Sequence, residues 1–378
     1  MNTLPLMTTS QGVFLGKRVF LRLDFNVPLE GSEVRDDYRI RESLPTINFL
    51  RASGARLVIA SHIGKGKPED TLAPVAEYLN KLFPVTFLPD LLSPENVRIS
   101  NELQNGDVVL LENLRHSKGE EENDPQFAAY LASLGDIYVN DAFSVSHRAH
   151  ASVVGVPSLL PHYAGIRLAL EVSKLAVAFT PEHPFLFILG GAKISTKMPL
   201  LKKFLSIADN IFVGGAIANN FLKVKGVEIG TSTYDKDELT GLEGYLADPH
   251  LVLPTDVVVK NAAGSETKTL EALTSSDMIV DAGNATIKSL EQVIGAAKLI
   301  VWNGPLGFYE AGFTEGSREL LGLIAGSRAM SIIGGGDTVA LINEMGAFER
   351  FSFVSTGGGA MLDYLANETL PGIVALEQ

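Results

Sequence analysis

A glycine run followed by an acidic residue, Gly334-Gly335-Gly336-Asp337-Thr338, lies between two apolar segments. This order predicts a strand, a tight loop and the start of a helix. Glycine lets the backbone approach an anion closely, and the N–H groups at a helix start point toward it. Asp337 could hold a divalent cation over phosphate groups, because magnesium prefers carboxylate and phosphate oxygens. It could equally cap the helix, so this segment alone leaves a phosphate site and a structural turn open.

Two lysines follow a second glycine pair, with Lys193 and Lys197 just after Gly190-Gly191-Ala192. If a helix begins there, both ammonium groups project from one face near its N-terminus, where like charges are unfavourable unless an anion lies between them. For two lysines alone, solvation of both is the simpler interpretation. The spacing is not that of a P-loop, and there is no protein-kinase His-Arg-Asp loop. Glu310 could bind the hydroxyls of a ribose or be a surface carboxylate.

Basic residues are concentrated in the first 150 residues, mostly just after apolar runs: Arg39, His62, Lys65, Arg115, His147, Arg148 and His150. A small phosphorylated acid would suit such a cluster, because Arg pairs bidentately with carboxylate and phosphate while Lys and protonated His add charge. Asp24 and Asn26 could then hydrogen-bond a substrate hydroxyl.

Several of these basic residues also have a structural interpretation. Arg39 could form a surface salt bridge with Asp36-Asp37, and Arg115 could pair with Glu112, both of little energetic value. The two histidines at 147 and 150 could be interior residues or metal ligands, although two His without a third ligand are weak evidence for metal. The cluster as a whole favours an anion site.

Apolar, β-branched runs alternate with helix-like segments along the whole chain, which predicts an α/β fold with two Rossmann-like lobes, each a parallel sheet flanked by helices. We predict strands at Val19–Phe25, Arg56–Ser61, Val85–Leu88, Val108–Glu112, Ile137–Phe143, Phe185–Leu189, Ile211–Val213, Leu251–Val259, Met278–Val280, Leu299–Trp302, Ser331–Ile333 and Ser352–Val354. The Ala- and Leu-rich stretch 164–179 is predicted to be a helix shared by both lobes. The polar segment 230–244 is predicted to be a surface excursion.

The residues after these strands differ between the two halves. Basic and amide side chains follow the strands of the first half, and glycine clusters follow most strands of the second half. Ligands of open parallel sheets bind outside the carboxyl ends of the strands. The sequence therefore predicts two binding regions with divided chemistry, one basic and one rich in glycine.

Length and composition narrow the class of protein. The 378 residues suggest two domains. A hydrophobic content of 46% supplies ample core, and the absence of cysteine excludes disulfides, thiolate metal sites and a Cys nucleophile. The formal net charge of −13 argues against nucleic acid or an anionic membrane as a partner. No membrane span or secretion signal is visible, so the cytoplasm is the expected location.

Taken together, these motifs make the chain resemble the phosphoglycerate kinase family over nearly its whole length. The resemblance rests on Arg22-Leu-Asp-Phe-Asn-Val-Pro28, Ser61-His-Ile-Gly64, Glu112-Asn-Leu-Arg115, Asn140-Asp-Ala-Phe143, His147-Arg-Ala-His150, Gly190-Gly-Ala-Lys193, Val301-Trp-Asn-Gly-Pro305, Gly334-Gly-Gly-Asp-Thr338 and Ser355-Thr-Gly-Gly-Gly-Ala360. It implies an N-terminal phosphoglycerate-binding domain over 1–163, a hinge helix over 164–179 and a nucleotide-binding domain over 180–363, with the tail 364–378 returning to the first domain. A monomer is the family expectation.

The resemblance also implies roles for individual residues. Those expected to bind 3-phosphoglycerate or 1,3-bisphosphoglycerate are Asp24, Phe25, Asn26, Arg39, His62, Ile63, Gly64, Lys65, Arg115 and Arg148. Those expected to bind ATP or ADP are Lys193, Lys197, Asn303, Glu310, Gly335, Gly336, Asp337 and Thr338, with Asp337 at Mg²⁺. Those expected to stabilise the transferring phosphoryl group are Arg39, Lys193, Lys197, Gly336 and Gly358.

Several positions depart from the usual family pattern: Lys65 in place of Arg, Ser144 and Ala216 in place of Gly, Asn284 in place of Pro and Ala169 in place of Glu. Two other functions use related features. A nicotinamide dehydrogenase also has a parallel sheet with glycine loops, but the chain does not open with the Gly-x-Gly-x-x-Gly fingerprint. A non-catalytic nucleotide-binding protein is the second alternative, and the retention of Arg39, Lys193, Lys197 and Asp337 counts against it.

Overall fold

A computed structural model describes residues 4–378 and has the predicted α/β architecture with two parallel sheets. The chain divides into two compact units, one formed by residues up to Ser173 together with Thr369–Gln378, and the other by Lys174–Glu368. No helix of residues 4–378 is long and apolar enough to cross a membrane.

The first unit is built on a parallel sheet with strand order β5-β6-β4-β1-β7-β8. Its strands are β1 Arg18–Arg22, β2 Leu29–Glu30, β3 Glu33–Val34, β4 Arg56–Ala60, β5 Thr86–Leu88, β6 Val108–Leu111, β7 Ile137–Asn140 and β8 His162–Ala164, of which β2 and β3 form a separate antiparallel pair. Its helices are α1 Tyr38–Ala52, α2 Ala73–Asn80, α3 Pro94–Glu102, α4 Lys118–Glu121, α5 Pro125–Ser133 and α6 Ile166–Ala176.

The central strands of this sheet are buried on both faces, as expected for continuous apolar runs. Four strands end earlier than predicted: β1 stops at Arg22 and β7 at Asn140, each three residues early, and β4 and β6 each stop one residue early. Leu23 and Phe25 remain in the core after β1 leaves the ladder. Burial therefore continues past the last strand residue, which is why hydrophobic pattern alone overestimates these strands.

The second unit has a parallel sheet with strand order β11-β10-β9-β15-β16-β17. Its strands are β9 Phe185–Leu189, β10 Asn210–Val213, β11 Leu251–Val252, β12 Asp256–Asn261, β13 Gly264–Thr269, β14 Met278–Ala282, β15 Leu299–Asn303, β16 Met330–Gly334 and β17 Phe353–Val354. Its helices are α7 Met198–Phe204, α8 Gly215–Val224, α9 Glu243–Leu246, α10 Asn284–Ala296, α11 Glu315–Gly326, α12 Gly336–Glu344 and α13 Gly359–Asn367.

A small antiparallel sheet, β13-β12-β14, corrects the prediction for the second half. The predicted strand Leu251–Val259 is two strands, separated by Leu253-Pro254-Thr255, and only β11 joins the parallel sheet. Proline cannot donate to a strand ladder, which explains the break. The predicted strand Met278–Val280 pairs antiparallel with β12 rather than joining the parallel sheet. The polar, exposed strand β13 gave no hydrophobic signal and was not predicted.

The connecting helix is shorter than predicted. Ala164 ends β8, α6 occupies Ile166–Ala176, and Val177–Phe179 forms a separate 3₁₀ turn. At its start, the backbone N–H of Leu168 donates to Asp141 Oδ1 at 3.0 Å. Within the helix, Arg167 pairs with the buried Glu171 at 2.8 Å. The boundary between the two units falls inside α6.

The C-terminal segment contains a short helix, α14 Pro371–Val374, and belongs to the first unit. The N–H of Gly372 donates to the carbonyl oxygen of Ser146 at 2.8 Å. The side chains of Leu370, Ile373 and Leu376 are buried. This segment is therefore held by apolar packing as well as by a backbone hydrogen bond.

Candidate active site

The predicted basic residues of the first unit follow neighbouring parallel strands. The segment 24–26 follows β1, 62–65 follows β4, Arg115 follows β6 and Arg148 follows β7. These strands are adjacent in the order β6-β4-β1-β7. Because carboxyl ends of parallel strands meet at one edge, the four segments share one side of the sheet. We call this the basic edge.

Arg39 reaches the basic edge from the first turn of α1. Its Nη1 donates to Asp24 Oδ2 at 2.6 Å and to the carbonyl oxygen of Asn26 at 3.2 Å. The alternative of a surface salt bridge with Asp37 is wrong, because Arg41 pairs with that carboxylate at 2.8 Å. Arg39 keeps 28% of its side chain exposed. It is therefore oriented by Asp24 and still accessible to an anion.

Both carboxylate oxygens of Asp24 accept hydrogen bonds from residues of the same unit. Oδ2 also accepts a short hydrogen bond from Ser144, and Oδ1 accepts the backbone N–H of Asn26 at 2.9 Å. Burial alone would raise the pKa of Asp24, but the Arg39 charge and these hydrogen bonds hold it below its usual value. Asp24 is consequently a carboxylate that orients Arg39. The hydroxyl at Ser144, a departure from the family pattern, contributes directly to this arrangement.

Asn26, Phe25 and Ile63 tie the strand ends together. Asn26 Oδ1 accepts the N–H of Gly64 at 3.0 Å, linking the ends of β1 and β4. The ring of Phe25 is buried, and its N–H donates to Ser61 Oγ at 2.8 Å. The carbonyl oxygen of Ile63 accepts a hydrogen bond from Asn113 Nδ2 at 2.8 Å. Phe25 and Ile63 thus support the edge through packing and backbone contacts.

Two histidines of the first unit, His62 and His150, have lowered pKa values, which favours their neutral forms over the protonated form considered from the sequence. Burial, opposed by Asp24 and supported by Arg22, holds the pKa of His62 well below its usual value. Arg22 Nη2 lies 3.4 Å from His62 Nδ1. Because arginine can only donate, Nδ1 is the acceptor and the proton resides on Nε2. Burial and neighbouring arginines lower the pKa of His150 to about 4.

Positive charge at this edge comes instead from arginine and lysine. Arg115 Nη1 donates to the carbonyl oxygen of Gly64 at 2.5 Å, and its Nε lies 3.5 Å from Glu121 Oε1. The alternative pairing with Glu112 is wrong, because that carboxylate binds Thr71 and the N–H of Leu72. Burial, and then the charge of Arg148, lower the pKa of Arg115. Arg148 and Lys65 are exposed.

Metal ligation by the histidines has no support from their surroundings. Arg148 Nε donates to His147 Nε2 at 3.3 Å, and His150 Nδ1 lies 3.7 Å from Glu120 Oε1. Among residues 4–378 there is no group of three or more His, Asp or Glu that could hold a metal ion by themselves. The basic edge is suited to an anion.

The glycine clusters of the second unit line a cleft with a volume of about 230 Å³. We call it the glycine cleft. Its walls include Gly191, Ala192, Gly215, Ala216, Asn219, Thr233, Met278, Ile279, Val280, Asp281, Pro305, Leu306, Gly307, Phe308, Glu310 and Asp337. Most of these residues follow the carboxyl ends of β9, β10, β15 and β16, whereas Met278, Ile279, Val280 and Asp281 lie within β14. The second set of predicted strand ends therefore also converges.

Close backbone contact explains two of the glycines. A Cβ at Gly190 would lie 2.3 Å from the carbonyl oxygen of Gly304 and 2.4 Å from that of Pro305. Gly304 itself has φ +92°. The ends of β9 and β15 can approach only because neither position carries a side chain.

Lys193 and Lys197 have different environments, which corrects the expectation of two equivalent lysines on a helix face. Residues Ile194–Thr196 form a 3₁₀ turn, and α7 begins only at Met198. Lys193 is exposed, whereas Lys197 is 7% exposed and donates from Nζ to Asn303 Oδ1 at 2.6 Å. Burial lowers the pKa of Lys197 to about 8. Solvation of both lysines is therefore wrong for Lys197.

Asp337 is available to the cleft because it does not cap α12. Gly335, with φ +99°, occupies the N-cap position, no side chain caps this helix, and Asp337 lies in its first turn. Burial, and next the charge of Glu310, raise the pKa of Asp337. Two carboxylates near each other beside glycine N–H groups fit a divalent cation with phosphate, since the cation would relieve their repulsion.

The remaining predicted residues lie at helix starts or in the core. Gly336 is the first residue of α12, and Gly358, with φ +52°, is the N-cap of α13. Thr338 is buried, and its Oγ1 has no hydrogen-bond partner within the described residues. Asn303 is buried and accepts from Lys197. Glu310 is exposed at the wall of the cleft.

Sequence reasoning missed several residues that line the cleft, notably Asn219, Thr233 and Asp281. Burial, with Glu315 and Glu319, raises the pKa of Asp281 to about 6. Asp281 was visible as a polar strand end, but nothing in its spacing assigned it a role. Asn219 lies one helical turn after Gly215, and a polar residue at that spacing was the available signal.

Fold and site together define a class of protein, an α/β phosphotransferase with a basic edge on one unit and a glycine-rich cleft on the other. The family model described as Phosphoglycerate kinase matches residues 10–368. The chain is 44% identical over 379 residues to the phosphoglycerate kinase of Rubrobacter xylanophilus, covering 96% of both chains. It is 42% identical over 379 residues to that of Dictyoglomus turgidum, again covering 96% of both.

Solved structures that resemble this chain are also phosphoglycerate kinases. The phosphoglycerate kinase of Coxiella burnetii matches with a TM-score of 0.85 at 37% identity, covering 99% of each chain. That of Pyrococcus horikoshii matches with a TM-score of 0.87 at 32% identity, covering 96% of each chain. The chain belongs to the phosphoglycerate kinase family. The resemblance, the fold class and the predicted enzyme class, a kinase with a carboxyl group as phosphoryl acceptor, are confirmed.

Proposed function

We propose that the chain catalyses reversible, Mg²⁺-dependent phosphoryl transfer between 1,3-bisphosphoglycerate and ADP, giving 3-phosphoglycerate and ATP. The basic edge holds the phosphoglycerate and the glycine cleft holds the nucleotide. The observation that carries this assignment is the pair of differently charged sites: arginines oriented at the sheet edge of the first unit, and in the second unit the buried Lys197 at Asn303 together with Asp337 in the wall of the glycine cleft.

The reaction needs no general base, because the carboxylate of 3-phosphoglycerate and the phosphate of ADP are already ionised nucleophiles. Positioning and charge stabilisation therefore supply the rate. In this proposal Arg39, Lys193 and Lys197 neutralise the oxygens of the transferring group, and backbone N–H groups near Gly336 and Gly358 complete the shell. The phosphoglycerate is held by Arg115, Arg148, Lys65 and neutral His62 together with the segments 24–26 and 63–64.

Asp337 is the residue that would hold Mg²⁺, and bound Mg²⁺ would shield the nucleotide phosphates. Glu310 would bind the ribose, while Asn303, Gly335 and Thr338 complete the nucleotide side. The pKa of Asp337 is raised by burial and by the charge of Glu310, so a bound cation would stabilise the ionised form of the Asp337 carboxylate. Exchanging Mg²⁺ for buffer is expected to weaken nucleotide binding in wild-type protein.

Direct phosphoryl transfer requires that the phosphoglycerate at the basic edge and the nucleotide in the glycine cleft be brought together. We propose domain closure about the helix in 164–179, between a domain over 1–163 with the tail 364–378 and a domain over 180–363. Closure would exclude water and so protect the acyl phosphate from hydrolysis. We further propose a monomer that works in the cytoplasm, as the reaction of glycolysis implies.

Arg39→Ala tests the assignment of roles to the two sites. Loss of one charged donor to the transition state is expected to lower kcat by about 10²- to 10³-fold. ADP affinity, measured by calorimetric titration, should remain within about twofold because the nucleotide is assigned to the other site. Arg41→Ala is the matched control, since Arg41 is on the same helix but pairs with Asp37. Normal turnover in Arg39→Ala would remove Arg39 from the reaction.

A further inference from the structure

A buried arginine to which the proposed function gives no role lies at the carboxyl end of β1. Arg22 is 1% exposed, and each nitrogen of its guanidinium group contacts a different residue. Nε donates to Ser152 Oγ at 2.8 Å, Nη1 donates to the carbonyl oxygen of Leu23, and Nη2 lies 3.4 Å from His62 Nδ1. The charge of Arg22 is therefore held inside the first unit rather than presented to solvent.

Glu120 supplies a negative charge for this arginine, and Ser152 connects the two residues. Glu120 Oε1 accepts the Ser152 hydroxyl at 2.6 Å, and Oε2 accepts the Ser152 backbone N–H at 2.9 Å. Glu120 Oε1 also lies 3.9 Å from Arg22 Nη2, and both Glu120 and Ser152 are fully buried. A serine hydroxyl has one proton, and here it goes to Glu120. The oxygen of that hydroxyl is therefore the acceptor for Arg22 Nε.

The neighbours of this network reinforce the same arrangement. Tyr138 on β7 donates from its hydroxyl to the carbonyl oxygen of Ser152 at 2.8 Å, which fixes the backbone of that serine. His150 Nδ1 lies 3.7 Å from Glu120 Oε1, and burial and nearby arginines lower the pKa of His150 to about 4. A neutral His150 leaves Arg22 as the cation that balances the buried Glu120. Removing one partner of a buried charge pair leaves the other uncompensated, so the network favours one geometry.

The contact of Arg22 with His62 decides which nitrogen of the imidazole carries the proton. Arginine can only donate, so Nδ1 of a neutral His62 is unprotonated and Nε2 holds the proton. Asp24, Arg115 and Arg39 also act on the pKa of His62, which places the ring among the charged residues of the basic edge. If Arg22 moved away, Nδ1 could take the proton and the donor at Nε2 would be lost.

We propose that Glu120, acting through Ser152, is a positioning residue of the basic edge. It holds Arg22 against His62 Nδ1, so that His62 donates from Nε2 to the phosphoglycerate. The inference rests on the proposed phosphoglycerate role of the basic edge. Asp24 orients Arg39 at the same edge by a direct hydrogen bond, whereas Glu120 acts through a hydroxyl and a second arginine. Neither Glu120 nor Ser152 has to contact the substrate.

Ser152→Ala removes the connecting hydroxyl and leaves the charges of Glu120 and Arg22 in place. The dissociation constant of 3-phosphoglycerate, from calorimetric titration of the full chain, should rise about tenfold, the effect of one well-made hydrogen bond. That of ADP should stay within about twofold, because the nucleotide is assigned to the second unit. Circular dichroism verifies that the variant is folded.

Nitrogen NMR of isotopically labelled histidine supplies a readout that a merely structural role would not change. The His62 signal is assigned by its loss in His62→Gln. In wild type we expect the His62 proton on Nε2. In Ser152→Ala we expect a mixture of the two neutral tautomers, because Arg22 no longer holds Nδ1 as an acceptor.

Ser100→Ala is the matched control. Ser100 is also a buried serine of the first unit that accepts from an arginine of β1, since Arg18 Nη1 donates to its Oγ at 3.3 Å. Arg18 begins β1 and Arg22 ends it, so this pair lies at the opposite end of the strand from the basic edge. The affinity for 3-phosphoglycerate and the tautomer of His62 should both equal those of wild type.

Glu120→Gln is the second test variant, because it keeps the size of the side chain and removes its charge. It should weaken 3-phosphoglycerate binding at least as much as Ser152→Ala, which remains the deciding variant if Glu120→Gln does not fold. Wild-type affinity for 3-phosphoglycerate in folded Ser152→Ala, or an equal loss in Ser100→Ala, would overturn the proposal. A wild-type His62 with its proton on Nδ1 would also overturn it. Wild-type protein that binds 3-phosphoglycerate with the expected tautomer but transfers no phosphoryl group would count against the proposed function alone.

Discussion

At the scale of single residues, Lys197 is the most informative. Its ammonium group is buried, and the hydrogen bond that orients it goes to the neutral amide of Asn303. Burial disfavours the charged form and lowers the pKa to about 8. A phosphate group would supply the missing counter-charge, so anion binding and protonation of Lys197 should reinforce one another.

This coupling predicts a pH dependence. Because the lysine loses its proton above about pH 8 in the free enzyme, kcat/KM for nucleotide should fall from there upward rather than near pH 10.5. Lys197→Arg cannot lose its charge in this range, so its kcat/KM should be lower but flat between pH 8 and 10. An unchanged alkaline decline in Lys197→Arg would show that another group is responsible.

The sequence predicted which residues lie at the basic edge better than it predicted their ion-pair and hydrogen-bond partners. The family resemblance, and not strand-end position, grouped Arg39 with Asp24, while the adjacent Asp36-Asp37 offered Arg39 a surface salt bridge. The choice depends on how α1 packs, since Arg41 takes Asp37 and leaves Arg39 for Asp24. Burial of Lys197 was likewise not predictable, because it follows from the 3₁₀ turn Ile194–Thr196 before α7 and from the contact with the distant Asn303 rather than from any local pattern.

At the scale of elements, the approach of β9 to β15 forms part of the glycine cleft. The backbone of Gly190 lies against the carbonyl oxygens of Gly304 and Pro305, with no space for a side chain. Neither neighbour is the flexible end of a side chain, so the strand ends themselves would have to move. The cleft therefore depends on a backbone contact as much as on its charged residues.

Gly190→Ala should consequently lower the free energy of unfolding by roughly 1–3 kcal/mol, the range of overpacking substitutions. Gly322→Ala is the control, because Gly322 is within α11 and a Cβ there meets nothing within 4 Å. That change should stabilise by about 0.5–1 kcal/mol through helix propensity. Urea unfolding of both variants measures the difference, and wild-type stability in Gly190→Ala would contradict the packing argument.

Elements were predicted well where burial is continuous. The bounds of β9 match the prediction residue for residue, since all five residues are buried. The antiparallel sheet was missed because β13 is mostly exposed and its register comes from pairing with β12 rather than from a hydrophobic face. Pairing between distant segments is a tertiary property that local pattern does not contain.

At the scale of the whole molecule, the chain forms two compact units, and the C-terminal segment belongs to the first. Leu370, Ile373 and Leu376 bury their side chains there. The second unit contains the single tryptophan of the chain, Trp302, which is fully buried in β15. Tryptophan fluorescence therefore reports on the second unit.

Leu376→Ala should destabilise the first unit by about 2–5 kcal/mol, as expected for truncation of a buried leucine. Far-UV circular dichroism in urea should then show an earlier transition, while the Trp302 fluorescence transition stays in place. Val374→Ala is the control, because Val374 in the same segment is 39% exposed and its loss should cost little. An equal shift of the fluorescence transition in Leu376→Ala would mean that the two units unfold together.

The most direct test of the central claim is a coupled assay of purified protein with 3-phosphoglycerate and ATP, following 1,3-bisphosphoglycerate formation with and without Mg²⁺. We expect Mg²⁺-dependent turnover that is abolished by Lys197→Ala and kept by Lys202→Ala, since Lys202 is exposed on α7. Folded protein that binds ADP but forms no 1,3-bisphosphoglycerate, or full activity in Lys197→Ala, would contradict the account.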